Sequence, residues 1–211
     1  MYEIHKSLMG QILKYFKRMI LQKRITAKQI SRMPLKVFDG EIVLIEDANA
    51  ANLAIGEILY EKFLGFDIES KPAFSKGESY APSLMQIATS AKVYLFKLET
   101  IGGLTPLKPV LEKKDIIKVG VSIDHDIKNL FKIEKFDAQG FYDLGLFSKR
   151  LKVAHTGLRN LAAIFLRIRI SKKSQLTDWT QKVLTPQQIL YAATDAWISR
   201  EIFLKMLKYL P

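Results

Sequence analysis

The stretch FLGFDIE, residues 63–69, decides the fold because an apolar run ends in two acids. A short apolar run of this kind predicts a strand buried within a sheet. Side chains alternate along a strand, so Asp67 and Glu69 share one face and Ile68 points to the other. Ligand crevices of open α/β sheets lie at the carboxyl ends of strands, which makes the pair a candidate cation site. A strand that simply runs out into solvent is the alternative, and the pair alone does not exclude it.

On both sides of this strand, the sequence alternates between strand and helix patterns. Residues 37–45 predict a short hairpin or strand, and residues 50–62 a helix that Asp47 or Asn49 can cap. The remaining predicted elements are an antiparallel pair of strands at 84–89 and 93–98, a helix at 104–113, a strand at 116–121, a helix at 124–131, a strand end near Tyr142, helices at 144–151 and 157–166, and a long helix at 185–209. This order predicts an α/β fold with a mixed sheet covered by helices.

Two further stretches place acids beside small residues. GVSIDHDIKNL, residues 120–130, predicts a strand that turns into a helix, with Asp124 as a possible N-cap and Asp126 in the first turn. YAATD, residues 191–195, places Tyr191 and Asp195 on one face of the last helix, where two alanines allow a close approach. Each stretch also has a purely structural explanation, as helix caps in the first case and as a half-buried tyrosine with a surface aspartate in the second.

The composition limits the kind of metal site that the chain can form. The 211 residues include no cysteine, so disulfides and thiolate metal sites are excluded. The three histidines, His5, His125 and His155, lie far apart in sequence. Carboxylates would therefore provide most of the ligands, which suits a hard cation such as Mg²⁺ or Mn²⁺ and argues against structural Zn²⁺.

The charge of the chain favours a polyanionic partner. The formal net charge is +12, which suits nucleic acid or an anionic membrane, although a merely soluble basic surface is an equal alternative. Residues 1–36 hold nine lysines and arginines against Glu3 alone. Apolar residues recur every three or four positions from Ile4 to Ile20, and Thr26 can cap a second short helix that ends before Pro34. We therefore predict a basic amphipathic helical extension at 1–36 and one domain at 37–211. The extension either docks on the domain or a partner, or is a basic arm that grips a substrate.

No apolar run is long enough to span a membrane, and charged residues interrupt the N-terminal apolar segment. A secretory pattern is therefore lacking, and we expect a cytoplasmic protein.

Taken together, the three acidic stretches match one family in order and spacing. The chain resembles the DEDD superfamily of 3′→5′ exonucleases in its tyrosine subgroup, most of all ribonuclease D and the exonuclease domain of the Werner-syndrome helicase. The resemblance covers roughly residues 37–211 and implies a ribonuclease H-like mixed β-sheet flanked by helices. The phrases that match are GFDIE (65–69), LMQIA (84–88), YDL (142–144), LRNL (158–161), DW (178–179), LTPQQ (184–188) and YAATD (191–195).

The resemblance implies an enzyme that uses two divalent cations, Mg²⁺ or Mn²⁺, to release nucleoside 5′-monophosphates from the 3′ end of DNA or RNA. In the family, the acid at the position of Asp67 bridges both metals, and the acids at Glu69 and Asp195 hold the metal that activates water. The acid at Asp126 serves the second metal, and the tyrosine at Tyr191 orients the water. Asp143 occupies a position just outside the metal shell. Four acids in one place repel one another, so at least one carboxyl pKa should be raised when no metal is bound.

The substrate contacts that the resemblance implies are Met85, Gln86, Lys128 and Asn160. Close relatives often have an aromatic residue at the position of Lys128, where a base can stack, whereas a lysine favours contact with a phosphate. Ribonuclease D also carries helical nucleic-acid-binding domains after its catalytic domain, and we expect none after Pro211.

Three alternatives to an exonuclease stay open at the level of sequence. They are a catalytically silent nucleic-acid-binding module on the same fold, a partner-binding protein that uses the basic helix, and a membrane-surface protein that uses the same helix. The sequence also leaves open the choice between DNA and RNA and the oligomeric state.

Overall fold

The computed structural model describes residues 24–75 and 77–207, and within them a mixed sheet of six strands lies at the centre. The order across the sheet is β1-β4-β3-β2-β5-β6. β3 is antiparallel to β4 and β2, whereas β1 pairs with β4, β2 with β5, and β5 with β6 in parallel. The predicted mixed sheet is therefore confirmed. The strands are β1 (Glu41–Ile45), β2 (Phe63–Ser70), β3 (Pro82–Ala88), β4 (Lys92–Lys97), β5 (Ile117–Gly120) and β6 (Phe141–Asp143).

Helices pack on both faces of this sheet. In chain order they are α1 (Ala27–Ser31), α2 (Ala48–Ile58), a 3₁₀ turn (Thr105–Leu107) leading into α3 (Lys108–Leu111), α4 (Ile123–Leu130), α5 (Leu144–Arg150), α6 (Leu158–Leu161) continued by a π-helical turn (Ala162–Leu166), and α7 (Pro186–Leu207). The predicted helix near the N-terminus and the predicted end of the last helix at residue 209 lie outside the described residues. Among the helices described, none is long and apolar enough to cross a membrane.

Two boundaries and one cap differ from the sequence expectation. Val37 and Phe38 form no hairpin with β1, because the Phe38 amide donates to Thr194 Oγ1 of α7 and the Phe38 ring packs against Trp197. α2 begins at the Asp47 cap and ends at Ile58 instead of residue 62. Asp124 is not the N-cap of α4, which begins one residue earlier, after Ser122.

Alternate side chains of β2 point to opposite faces of the sheet. Phe66 and Ile68 pack into a cluster formed with α2, α3 and α4 on one face of the sheet. Gly65, Asp67 and Glu69 face the other side, on which α7 lies. The alternation predicted for the FLGFDIE stretch is therefore confirmed, and it leaves the two acids against the longest helix.

Candidate active site

A glycine brings β2 and α7 into backbone contact. A Cβ atom on Gly65 would lie 1.9 Å from the Ala196 carbonyl oxygen, so any larger residue would push α7 away from the sheet. Ala196 follows Asp195 directly, so this close approach carries Asp195 to the acids at the end of β2. Carboxylate oxygens of Asp67, Glu69 and Asp195 lie within 4.8 Å of one another. Three of the four predicted acids therefore meet in one cluster.

The fourth acid, Asp126, reaches the cluster through the β5–α4 turn. Gly120 approaches β2 so closely that a Cβ there would lie 2.6 Å from the Phe66 carbonyl oxygen. Ser122 then adopts a left-handed backbone with φ of 68°, which non-glycine residues adopt rarely and which often marks functional sites. Asp126, in the first turn of α4, is 8% exposed. Its charge raises the pKa of Glu69, so the two carboxyls are electrostatic neighbours.

Asp143 fixes the start of α4 from outside the cluster. Its Oδ2 accepts from the Ile123 amide at 2.9 Å, and its Oδ1 accepts from the Leu146 amide at 2.8 Å. One carboxylate therefore caps both α4 and α5, which serves the two positive helix ends. Asp143 also contributes to the raised pKa of Asp126, so it lies close to the acids without joining the three-acid group.

Tyr191 lies one turn before Asp195 on α7, and its hydroxyl donates a hydrogen bond to the Asp195 carboxylate. The ring of Tyr191 packs at a tilt against Trp179, with 6.0 Å between centroids. Burial, followed by the charges of Asp195 and Glu69, raises the pKa of the Tyr191 phenol. The phenol therefore keeps its proton at neutral pH and acts as a hydrogen-bond donor.

The four carboxyl groups have raised pKa values, as the sequence predicts for acids that converge. Burial is the largest cause in each case, and the charges of neighbouring acids add to it for Glu69, Asp126 and Asp195. The pKa of Asp67 rises to about 7 and that of Asp126 to about 9. Burial also raises the pKa of Glu69 and Asp195. At neutral pH the cluster therefore retains protons unless another positive charge replaces them.

A hard cation fits this cluster. The buried Oδ2 of Asp126 and Oδ1 of Asp195 accept no hydrogen bond within the described residues. Unpartnered buried carboxylate oxygens are costly, and coordination to a divalent cation removes that cost. The donor set of Asp67, Glu69 and Asp195 consists of oxygen atoms alone, which suits cations such as Mg²⁺ or Mn²⁺.

The acids open into a cavity of about 570 Å³, a volume typical of a small-molecule site. Asp67, Glu69, Tyr191 and Asp195 line it together with residues of α6 and of the segment after the π-helical turn. Lys172 from that segment also lines the cavity, and its charge lowers the pKa of Asp195. The cavity therefore combines acids for cations with a basic side chain for an anion.

The four predicted substrate contacts lie in different environments. Asn160 lines the cavity with the acids. Lys128 is exposed on α4 and lines a neighbouring cavity of about 360 Å³, which shares Ser122 and Gly157 with the first. Met85 and Gln86 are both 0% exposed, so neither side chain reaches the surface.

Gln86 instead lies beside Asp67. The two residues are cross-strand partners in the β2–β3 ladder, so their side chains point to the same face of the sheet. Both amide atoms of Gln86 lack a hydrogen-bond partner among the described residues. The structure thus makes Gln86 a neighbour of a predicted metal ligand.

Sequence reasoning missed one wall of the cavity. Ile25, Ala27 and Ile30, from the start of the described chain, line the same space as the acids. Thr26 as a possible cap predicted a short helix here, and the structure confirms it as α1. The cap contained no information on where that helix would pack.

The comparisons with known proteins agree with this geometry. A family model described as 3′-5′ exonuclease matches residues 42–211. The mouse bifunctional 3′-5′ exonuclease/ATP-dependent helicase WRN is 29% identical over 184 residues, which cover 82% of this chain and 13% of that protein. The Aedes aegypti Nibbler EXO domain superposes with a TM-score of 0.73 at 21% identity, covering 83% of this chain and 92% of that domain.

A second similar structure is a complex with RNA. Trypanosoma brucei RNase D in complex with RNA U12 has a TM-score of 0.68 and 18% identity, with coverage of 87% of this chain and 64% of that one. These structural likenesses confirm the expected ribonuclease H-like sheet flanked by helices.

Proposed function

The chain belongs to the 3′-5′ exonuclease family, and from this premise we propose that it removes nucleoside 5′-monophosphates stepwise from the 3′ end of a nucleic acid. The observation that carries the proposal is the convergence of Asp67, Glu69 and Asp195 in one cavity, with Asp126 beside them. Acids that repel one another and keep buried oxygens without a hydrogen-bond partner are typical of a site that binds cations, and phosphodiester hydrolysis commonly uses cations.

We propose that Asp67, Glu69 and Asp195 hold one divalent cation and that Asp126 serves a second one together with Asp67. The separation supports this division, since the first three acids form a tight group from which Asp126 stands slightly apart. When bound, such cations activate a water molecule and stabilise the charge that develops on the phosphate. Before they bind, the raised carboxyl pKa values mean that protons must leave the cluster.

Tyr191 supplies a proton donor in this proposal and does not act as a base. Its phenol stays protonated at neutral pH and already donates to Asp195 at the edge of the cavity. A neutral hydroxyl in this place can orient a water molecule that also contacts the acids.

Lys172 and Asn160 are the proposed contacts for the terminal nucleotide. Both line the cavity, and Lys172 carries a positive charge close to Asp195. A lysine here can bind a backbone phosphate, while an asparagine amide can bond to a sugar hydroxyl or a base edge. The substrate class, DNA or RNA, and a cytoplasmic location are parts of the proposal that experiments must decide.

Labelled oligonucleotides test the proposal directly. DNA and RNA strands labelled at the 5′ end should shorten in single-nucleotide steps in Mg²⁺ or Mn²⁺ and should stay intact in EDTA. Asp67→Ala and Asp195→Ala should leave no ladder, because each removes a proposed cation ligand. Internal cuts, or full activity in either variant, would contradict the proposal. Binding of the strands without any cleavage would instead support a silent nucleic-acid-binding module.

A further inference from the structure

The N-terminal segment 24–36 forms part of the cavity that holds the acids. Ile25, Ala27 and Ile30 line this cavity together with Asp67 and Asp195. The matched family region begins at residue 42, so this wall lies outside it. The segment therefore lies outside the matched region and shares its cavity.

Packing holds the wall firmly in place. Ile25 and Ile30 are 6% and 4% exposed and belong to the apolar cluster that α7 forms with α5 and α6. The Thr26 hydroxyl accepts from the Gln29 amide, and the Gln29 side chain accepts from the Thr26 amide at 2.8 Å, which caps α1 at its start.

Backbone pairing joins the wall to the segment that carries Lys172. The Lys36 amide donates to the Arg169 carbonyl oxygen at 2.9 Å, and the Arg169 amide donates to that of Pro34 at 3.0 Å. The Arg169 side chain also donates from Nε to the Met33 carbonyl oxygen at 3.0 Å. Lys172 follows Arg169 by three residues and lines the cavity. The two segments thus form one continuous border.

This border is basic, whereas the cavity floor is acidic. Residues 24–36 contain no aspartate or glutamate, and Arg24, Lys28, Arg32 and Lys36 are all exposed. Lys28 directly follows Ala27, and Arg24 directly precedes Ile25, so each adjoins a residue that lines the cavity. Arg24 and Lys28 are therefore the basic residues of segment 24–36 that are next in sequence to the cavity lining, to which Lys172 contributes from the facing segment.

We propose that Arg24 and Lys28 bind backbone phosphates of a single nucleic-acid strand whose 3′ end lies in the cavity. The inference rests on the proposed exonuclease function for the location of the 3′ end. Charge supports it, because a strand that approaches four acids needs positive side chains at the entrance. The wall adds affinity without contacting the scissile bond, so Arg24 and Lys28 are binding residues and not catalytic ones.

Equilibrium binding tests the wall without relying on catalysis. Fluorescent single strands of DNA and RNA are titrated with the full chain in EDTA, at several salt concentrations, and anisotropy gives the Kd. Arg24→Glu/Lys28→Glu should weaken binding several-fold and reduce the slope of log K against log salt by about 1.4, which is about 0.7 for each phosphate that the variant no longer neutralises.

The matched control is Lys62→Glu/Lys113→Glu, which changes the net charge by the same amount. Lys62 and Lys113 are exposed and precede the starts of β2 and β5, at the end of the sheet opposite the acids. The control should keep most of the affinity and the original slope. Equal losses in both double variants would overturn the inference, since the effect would then come from net charge alone.

Hydrolysis in Mg²⁺ separates this inference from the proposed function. Suppose that the wild-type protein shortens strands from the 3′ end, but Arg24→Glu/Lys28→Glu binds them as tightly as the control variant does. The inference about Arg24 and Lys28 then fails, and the exonuclease proposal stands. If Arg24→Glu/Lys28→Glu loses affinity relative to the control variant but the wild-type protein cuts nothing, the phosphate contacts of Arg24 and Lys28 stand and the exonuclease proposal fails. A wild-type protein that binds no single strand overturns the inference as well.

Discussion

Strands β2 and β5 lie side by side, and each carries charge into the interior in a different way. Lys118 of β5 is 0% exposed, and its Nζ donates to the carbonyl oxygens of Val110, Lys113 and Ile116 at 2.8–3.0 Å. Asp67 and Glu69 of β2 face other acids instead, and the buried Asp195 Oδ1 beside them accepts no hydrogen bond within the described chain.

The difference separates a structural charge from a functional one. Burial lowers the pKa of Lys118 to about 7, but three carbonyl acceptors compensate the ammonium inside the protein. The acids are compensated less completely, because buried oxygens of Asp126 and Asp195 accept no hydrogen bond within the described residues, so protons or a ligand must balance much of their charge. A buried amine whose hydrogen bonds are complete has a structural place in the fold, whereas buried carboxylate oxygens whose partners are missing indicate a binding site.

The largest expected effect is on activity when an acid is lost. Asp195→Asn should lower the rate by about a thousandfold, because a lost cation ligand removes several kcal/mol of transition-state stabilisation. The same change should raise the free energy of unfolding in EDTA by about 1 kcal/mol, since it removes a repelled buried charge. Kinetics in Mg²⁺ measure the hydrolysis rate, and thermal unfolding in EDTA measures the change in stability. A variant destabilised in EDTA would contradict the comparison.

Loss of the buried Lys118 amine should lower the stability of the protein and leave its activity nearly unchanged. Lys118→Met leaves three carbonyl oxygens without a donor and should reduce the free energy of unfolding by about 3 kcal/mol. For a chain of this size, the Tm should fall by about 6–12 °C. Activity per folded molecule should stay near the wild-type level at low temperature. The exposed Lys113→Met is the control, and a Tm equal to that of the control would refute the structural role.

Divalent cations should stabilise the wild-type protein. Mn²⁺ at one hundred times its Kd should add about 2.7 kcal/mol to the free energy of unfolding, and EDTA should reverse the gain. At one fixed Mn²⁺ concentration, the gain should be larger at pH 8 than at pH 6, because the pKa of Asp67 is raised to about 7 and protons compete with the cation below it, which raises the Kd. Calorimetry at both pH values tests this, with Asp67→Asn as the variant that should respond least. A gain that is larger at pH 6 would count against the site.

The smallest expected effect concerns the proton donor of the cavity. Tyr191→Phe removes the hydroxyl that donates to Asp195 but keeps the ring that packs against Trp179. Activity should fall about tenfold, as for the loss of a group that orients a ligand from beside a metal site. The Tm should hardly change. Single-turnover rates measure this effect, and an unchanged rate would show that the Tyr191 hydroxyl has no role in the reaction.

Local sequence patterns predicted much of this site. The alternation in FLGFDIE gave the shared face of Asp67 and Glu69, and the four-residue spacing gave that of Tyr191 and Asp195. The prediction that Asp124 caps α4 was wrong, because Asp143, twenty residues away from Ile123, supplies the acceptor that Asp124 was expected to provide. The sequence did not predict that Gln86 is fully buried, because single-strand patterns do not reveal how deep a strand lies in a sheet.

The sequence by itself determined the residue types, the strand and helix periodicities and, through resemblance, the family, because these depend on neighbours within a few positions. Only the tertiary structure decided that α7 touches β2 at Gly65, that α1 forms a wall of the cavity and that three carbonyls surround Lys118. Each of these contacts depends on how whole elements pack and where loops turn. No local period records such packing, so the chain had to fold before these roles could be assigned.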